Sequence, residues 1–161
     1  MVKNNIKAFL YHLVLVVLST LYLIIFVSLG SHIGKILIHP FTRAILTVLW
    51  IAAYIFVGTK MSVRHRVKND FQIGLLITFI GLIIWTISVF RTGFILKPVS
   101  EELAYLYIPL NIYLNPMLQI CFLLGIEFNQ IVRLVACFIP SFLIGIGIKF
   151  KRYKYIKRVH N

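Results

Sequence analysis

Residues 60–70 read KMSVRHRVKND, a short cationic stretch set between two apolar runs, 41–59 and 71–90. Each run is close to the ~20 residues that a helix rising about 1.5 Å per residue needs to cross a hydrocarbon core. A connection carrying Lys60, Arg64, Arg66 and Lys68 between two spans marks the cytoplasmic side under the positive-inside rule. With that loop inside, every other segment acquires a side.

The chain has 161 residues, 60% of them hydrophobic, and its mean hydropathy is +0.94. Soluble domains run at about 45–50% apolar. The surplus falls in blocks of span length, so the class is polytopic membrane protein. In lipid the backbone must satisfy its own hydrogen bonds, which leaves helices or a closed barrel. Barrel strands alternate apolar and polar residues. The runs VLVVL at 14–18 and LYLIIFV at 21–27 do not alternate, so helices are expected. The first run is also too long for a signal-peptide core and reads as a retained span.

The net charge is +13, from 17 Lys and Arg against four acids. In a soluble protein that balance would point to nucleic acid. Here the cations lie at span ends, where topology and anionic lipid headgroups account for them, and no nucleic-acid partner is expected. Cys121 and Cys137 lie in apolar stretches without Cys-x-x-Cys spacing and read as buried free thiols. The richness in Ile, Leu and Lys is a compositional hint of an AT-rich bacterial genome.

The expected fold is an all-α membrane protein, a four-helix transmembrane bundle in a single domain. Its spans are 6–29, 41–59, 71–90 and 131–148. Asn4 or Asn5 can cap the first helix, and Asn69 or Asp70 the third. Gly74, Thr78 and Gly81 share one face of the third span, and Ala52, Ala53, Gly58, Ser141 and Gly145 offer further points of close helix approach. Pro140 should kink the last span at its middle. His12, about a turn and a half into the first span, reads as a neutral interfacial histidine.

Residues 91–130 form the long segment outside the spans. Tyr105, Tyr107 and Tyr113 suit a membrane–water interface, where a ring is apolar at one end and wet at the other. Pro98 ends the third helix, and Ser100 followed by Glu101 and Glu102 starts another. The run 115–126 is too short to cross alone and fits an additional interfacial or re-entrant helix on the outer side.

Orientation follows from the cations. Four crossings place Lys3, Lys7, the four of the loop and the six of the tail (Lys149, Lys151, Arg152, Lys154, Lys157, Arg158) on one side. The other side holds Lys35, Arg43, Arg91 and Lys97. That asymmetry puts both termini in the cytoplasm of a plasma-membrane, multi-pass protein. A fifth crossing would separate the basic loop from the basic tail.

Few residues carry chemistry. Arg133 lies about a turn inside the last span, and an ionisable residue there is a functional candidate, with Glu127 or a lipid phosphate as partner. A candidate outer pocket for a ligand or partner combines Glu101, Glu102, Glu127 and Arg133 under Tyr105 and Tyr107. The tail cations are candidates for anionic lipid contact at about 1 kcal/mol each. No catalytic residues, metal site or cofactor are expected: there is no Ser-His-Asp set, no His-Glu-x-x-His and no intramembrane aspartate pair.

The expected function is that of a small non-enzymatic membrane protein acting by binding. It would serve as an accessory subunit of a membrane complex or as an immunity-type protein. Its partners would be the bilayer with its anionic lipids and either another membrane protein or a second copy of itself. An oligomeric channel or transporter subunit and a membrane enzyme acting on lipid or cell-wall precursors are the alternatives.

Overall fold

The computed structural model describes residues 1–30, 39–63, 67–94 and 101–159. The expected link at 31–38, Arg64 and Arg66 of the cationic loop, and the Pro98–Ser100 helix start lie outside them. Every regular element among the described residues is helical: α1 (Val2–Ser28), α2 (Pro40–Thr59), α3 (Leu75–Thr92), α4 (Glu101–Ala104), α5 (Ile108–Tyr113), α6 (Asn115–Leu124), α7 (Gln130–Ala136) and α8 (Ile139–Val159), with short 3-10 turns at Val67–Gln72 and Tyr105–Tyr107. Four stretches are long and apolar enough to cross a membrane: α1, α2, α3, and Gln130–Ile156 through α7 and α8.

The third helix starts later than its apolar run. Residues 71 and 72 belong to the 3-10 turn, and α3 begins after Gly74, whose φ of 108° is open to glycine but rarely to other residues. A side chain at Gly74 would also meet Ser141 Cα at 2.9 Å. Neither Asn69 nor Asp70 caps this helix. Asn5 does, from the first turn of α1: its Oδ1 accepts from the Gly74 N–H at 2.9 Å and the Leu76 N–H at 3.4 Å. Asp70 is buried and accepts instead from Arg152, Nη2 to Oδ1 at 2.7 Å and Nε to Oδ2 at 3.0 Å.

The last apolar run is broken rather than smoothly kinked. Pro140 has no N–H and its ring crowds the carbonyl four residues back, so the interruption appears upstream, at Cys137 and Phe138, between α7 and α8. From there α8 continues as one helix through the basic tail to Val159.

α2 and α8 form the most extensive helix pair. Two glycines allow it: a Cβ at Gly58 would overlap the Ile144 carbonyl oxygen, and one at Gly147 the Ile55 carbonyl oxygen. Backbones meet there, as small residues permit in apolar surroundings. Tyr54, Val57, Ile144 and Ile148 are buried along the same helices.

Three distant segments gather at one end of the molecule, called here the basic end. Lys151 Nζ donates to the Met61 carbonyl at 2.7 Å, and Arg152 Nη1 to that of Val63 at 3.1 Å. Asn4 Nδ2 donates to the Ser62 carbonyl and Lys7 Nζ to that of Lys60. The start of the chain, the cationic loop and the start of the tail therefore share one end.

The segment from Tyr105 to Leu124 doubles back. Its beginning lies at the far end of the molecule, where the Tyr107 hydroxyl meets Thr92 and Gln130. It bends by 95° between Tyr113 and Asn115, then returns to the far end, where Arg43 Nε donates to the Leu123 carbonyl. At the bend Tyr113 reaches well into the interior, donating from its hydroxyl to the Ile77 carbonyl at 2.8 Å. α6 is apolar nearly all round, and eight of its residues are buried.

Candidate functional site

Apart from the Asp70–Arg152 pair, two groups of interior polar side chains stand out among the described residues. The first is mid-molecule: His12 Nδ1 and the Tyr54 hydroxyl are 2.8 Å apart, and the Tyr113 ring meets the His12 ring edge-on at 4.7 Å between centroids. His12 is fully buried, covered by α2 and the bend at Tyr113.

The second place lies at the far end and is organised by Arg133. α7 starts at Asn129, whose Oδ1 accepts from the Val132 N–H at 2.8 Å. That cap fixes the turn carrying Gln130 and Arg133. Gln130 donates from Nε2 to the Tyr107 hydroxyl at 2.7 Å and the Gly93 carbonyl at 3.0 Å, and its own carbonyl accepts from Trp85 Nε1. Arg133 lies over the Tyr107 ring, 4.9 Å from the centroid. Its Nε donates to Asn111 Oδ1 at 3.1 Å and its Nη1 to the Phe128 carbonyl at 2.8 Å. Arg133 is 7% exposed, and no carboxylate among the described residues contacts it.

Beside Arg133 runs a cleft of about 410 Å³ between the far half of α1 and the doubled-back segment. Its walls are mostly apolar, with Tyr22, Leu23 and Phe26 from α1 facing Ile108 and Ile112 of α5 and Phe122 of α6. The polar lining is Arg133 together with Thr20, Asn111, Asn115 and Gln119. Asn115 Nδ2 donates to Thr20 Oγ1 at 3.2 Å and Gln119 Nε2 to the Ser19 carbonyl at 2.6 Å, which ties α6 to α1 at the cleft floor. Gln119 Oε1 is buried and makes no hydrogen bond.

Of the residues expected in an outer pocket, Arg133 and Tyr107 meet directly. Glu127 is exposed on the connection before α7, and the groups on Arg133 are those of Asn111, Phe128 and Tyr107 instead. Tyr105 is 62% exposed and does not line the cleft described above. Glu101 and Glu102 open α4, and their side chains lie outside the described residues. In the tail, Lys151 and Arg152 turn inward to the loop, while Lys149 and Lys154 are exposed, with the Lys154 ammonium 4.8 Å from the Phe150 ring centroid. The side chains of Lys157 and Arg158 lie outside the described residues. Among the described residues no three His, Cys, Asp or Glu side chains come together as a metal site would need.

Sequence reasoning passed over Asn115, Gln119 and Gln130 as site residues. One signal is present: Asn115 and Gln119 stand four residues apart in an otherwise apolar stretch, which puts them on one face of α6. Comparisons with protein-family models, with curated proteins and with solved structures find no match.

Proposed function

We propose that this chain is a plasma-membrane protein of four crossings that acts by binding, not by chemistry. The basic end faces the cytoplasm with both termini, and the segment 105–124 re-enters the membrane from the outer face. The hydrogen bonds that join the start of the chain, the cationic loop and the tail at one end support this orientation, since the positive-inside rule places such an end in the cytoplasm. The role is that of an accessory subunit or an immunity-type protein, whose partner or ligand is engaged on the outer half.

The observation that carries the binding reading is the cleft beside Arg133. It is concave and largely apolar, with a few convergent polar groups, which is the usual anatomy of a binding site. Its mouth is flanked by Leu23, Ile108, Ile112 and Phe122, all exposed, so a ligand reaches it sideways from the hydrocarbon layer. Photo-crosslinking tests this directly. With p-benzoylphenylalanine replacing Phe122 or Phe26 in living bacteria, irradiation should give a discrete adduct, lipid or protein. The same group replacing Phe79, exposed on α3, should give only diffuse labelling. Equal, diffuse labelling at all three positions would remove the basis for the reading.

A further inference from the structure

Resting on the binding reading of the cleft, we infer that its ligand is a lipid bearing an anionic phosphate head, seated with the phosphate on Arg133 and one chain along the apolar walls. Three observations converge on that chemistry. First, Arg133 is a buried cation, 7% exposed, without a carboxylate partner among the described residues. A charge removed from water is tolerated when a counter-charge and hydrogen bonds replace its hydration. Asn111 Oδ1 and the Phe128 carbonyl take one donor each, on Nε and Nη1, which leaves three of the five guanidinium N–H donors for a ligand.

Second, the guanidinium is pre-positioned. The Tyr107 ring supports its face, and the Tyr107 hydroxyl is itself held by Gln130 and Thr92. A planar fork held in this way matches the oxygens of a phosphate, often with two parallel hydrogen bonds. Third, what extends away from Arg133 is greasy: Leu23, Phe26, Ile112 and Phe122 make a trough suited to an acyl or prenyl chain. A free phosphate would leave that trough unused, and a neutral lipid would leave the cation unanswered. The occupant that answers both is one molecule with a charged head and an apolar tail.

The test uses the full chain purified in a neutral detergent, with dioctanoyl phosphatidylglycerol as probe. The controls are dioctanoylglycerol, which has the chains alone, and glycerol 3-phosphate, which has the head alone. Binding is read by native mass spectrometry and by the shift in unfolding temperature. The probe should bind about 10- to 100-fold more tightly than dioctanoylglycerol, the factor expected from hydrogen bonds to a charged group. R133Q should bring that ratio close to one. I112W leaves Arg133 in place and fills the trough, and it should weaken the probe about tenfold or more, which keeps the test open if R133Q fails to fold. Glycerol 3-phosphate binding as tightly as the probe would overturn the lipid assignment in favour of a free anion. Equal affinity for the probe and dioctanoylglycerol, an undiminished preference in R133Q, or an undiminished affinity for the probe in I112W, would overturn it outright. If no lipid binds but the Phe122 crosslink still yields a discrete protein adduct, the lipid is wrong and the binding reading stands. If both fail, both are wrong.

Discussion

Replacing Gly147 by alanine should force apart the two most extensively packed helices. The new Cβ would overlap the Ile55 carbonyl oxygen and lie 2.9 Å from Gly58 Cα, so both obstacles are backbone. α2 and α8 must then part by about 1 Å, and a gap of that size forfeits roughly a quarter to a half of each dispersion contact across it. Tyr54, Val57, Ile144 and Ile148 all lose neighbours together. Overpacking a well-packed core costs about 1–3 kcal/mol, and a clash that no rotamer change relieves belongs at the upper limit. A loss of about 3 kcal/mol lowers the unfolding temperature of a chain this size by roughly 6–12 °C. Gly145→Ala provides the contrast, because its Cβ meets the Phe71 ring, a side chain that can be cut back. Thermal unfolding in detergent of G145A, F71A and the double variant should show positive coupling of about 1 kcal/mol between those two sites. I55A should not rescue G147A, since the obstructing atom is a carbonyl that alanine also carries. A G147A protein that unfolds within 1–2 °C of the parent, about the scatter of small surface changes, would refute the backbone-to-backbone contact.

Other outcomes follow from the same geometry. Asp70→Asn removes the charge from a pair whose acid is 1% exposed, and should destabilise by about 2–4 kcal/mol, somewhat below a fully buried pair because Arg152 is 15% exposed; equilibrium unfolding of D70N, R152Q and the double variant measures the coupling. Asn5→Ala should weaken the protein by about 1 kcal/mol through loss of the cap on α3, whereas Asn4→Ala should matter less; hydrogen exchange at Leu76 and Ile77 tells the two apart. Tyr54→Phe leaves His12 without its hydrogen-bond partner and should cost about 1–3 kcal/mol, part of which H12F/Y54F recovers. Single cysteines at Ser62 and Tyr153 should react with an impermeant maleimide from the cytoplasmic side only, and at Phe94 and Glu127 from the outer side only; labelling of Ser62 and Tyr153 from opposite sides would end the four-crossing reading.

Among the described residues no carboxylate contacts Arg133. Glu127 is the acid nearest to it in the chain and the obvious partner on paper, yet Asn111, the Phe128 carbonyl and the Tyr107 ring surround it. The turn at 125–129 carries Glu127 outward, beginning at Gly125 with φ of 74°, while the Asn129 cap rolls the first turn of α7 inward. Proximity in sequence was a poor guide because the chain reverses direction between the two residues.

What the amino acids determine one segment at a time is legible without coordinates. Transfer of apolar side chains from water is additive along a helix, so span-length runs stand out in hydropathy, as four of them do here. The cationic loop and tail are likewise local features, and they do lie at one end. Pairings between segments needed the folded chain. Asn5 caps a helix that starts seventy residues later, Asp70 takes an arginine from the tail, and Asn115 and Gln119 close the floor of a cleft with α1. Each depends on which faces of distant helices meet. Backbone approach at Gly58 and Gly147 and the bend after Tyr113 decide those faces; Gly58 is legible as a point of close approach, but which backbone it meets is not written in its own segment.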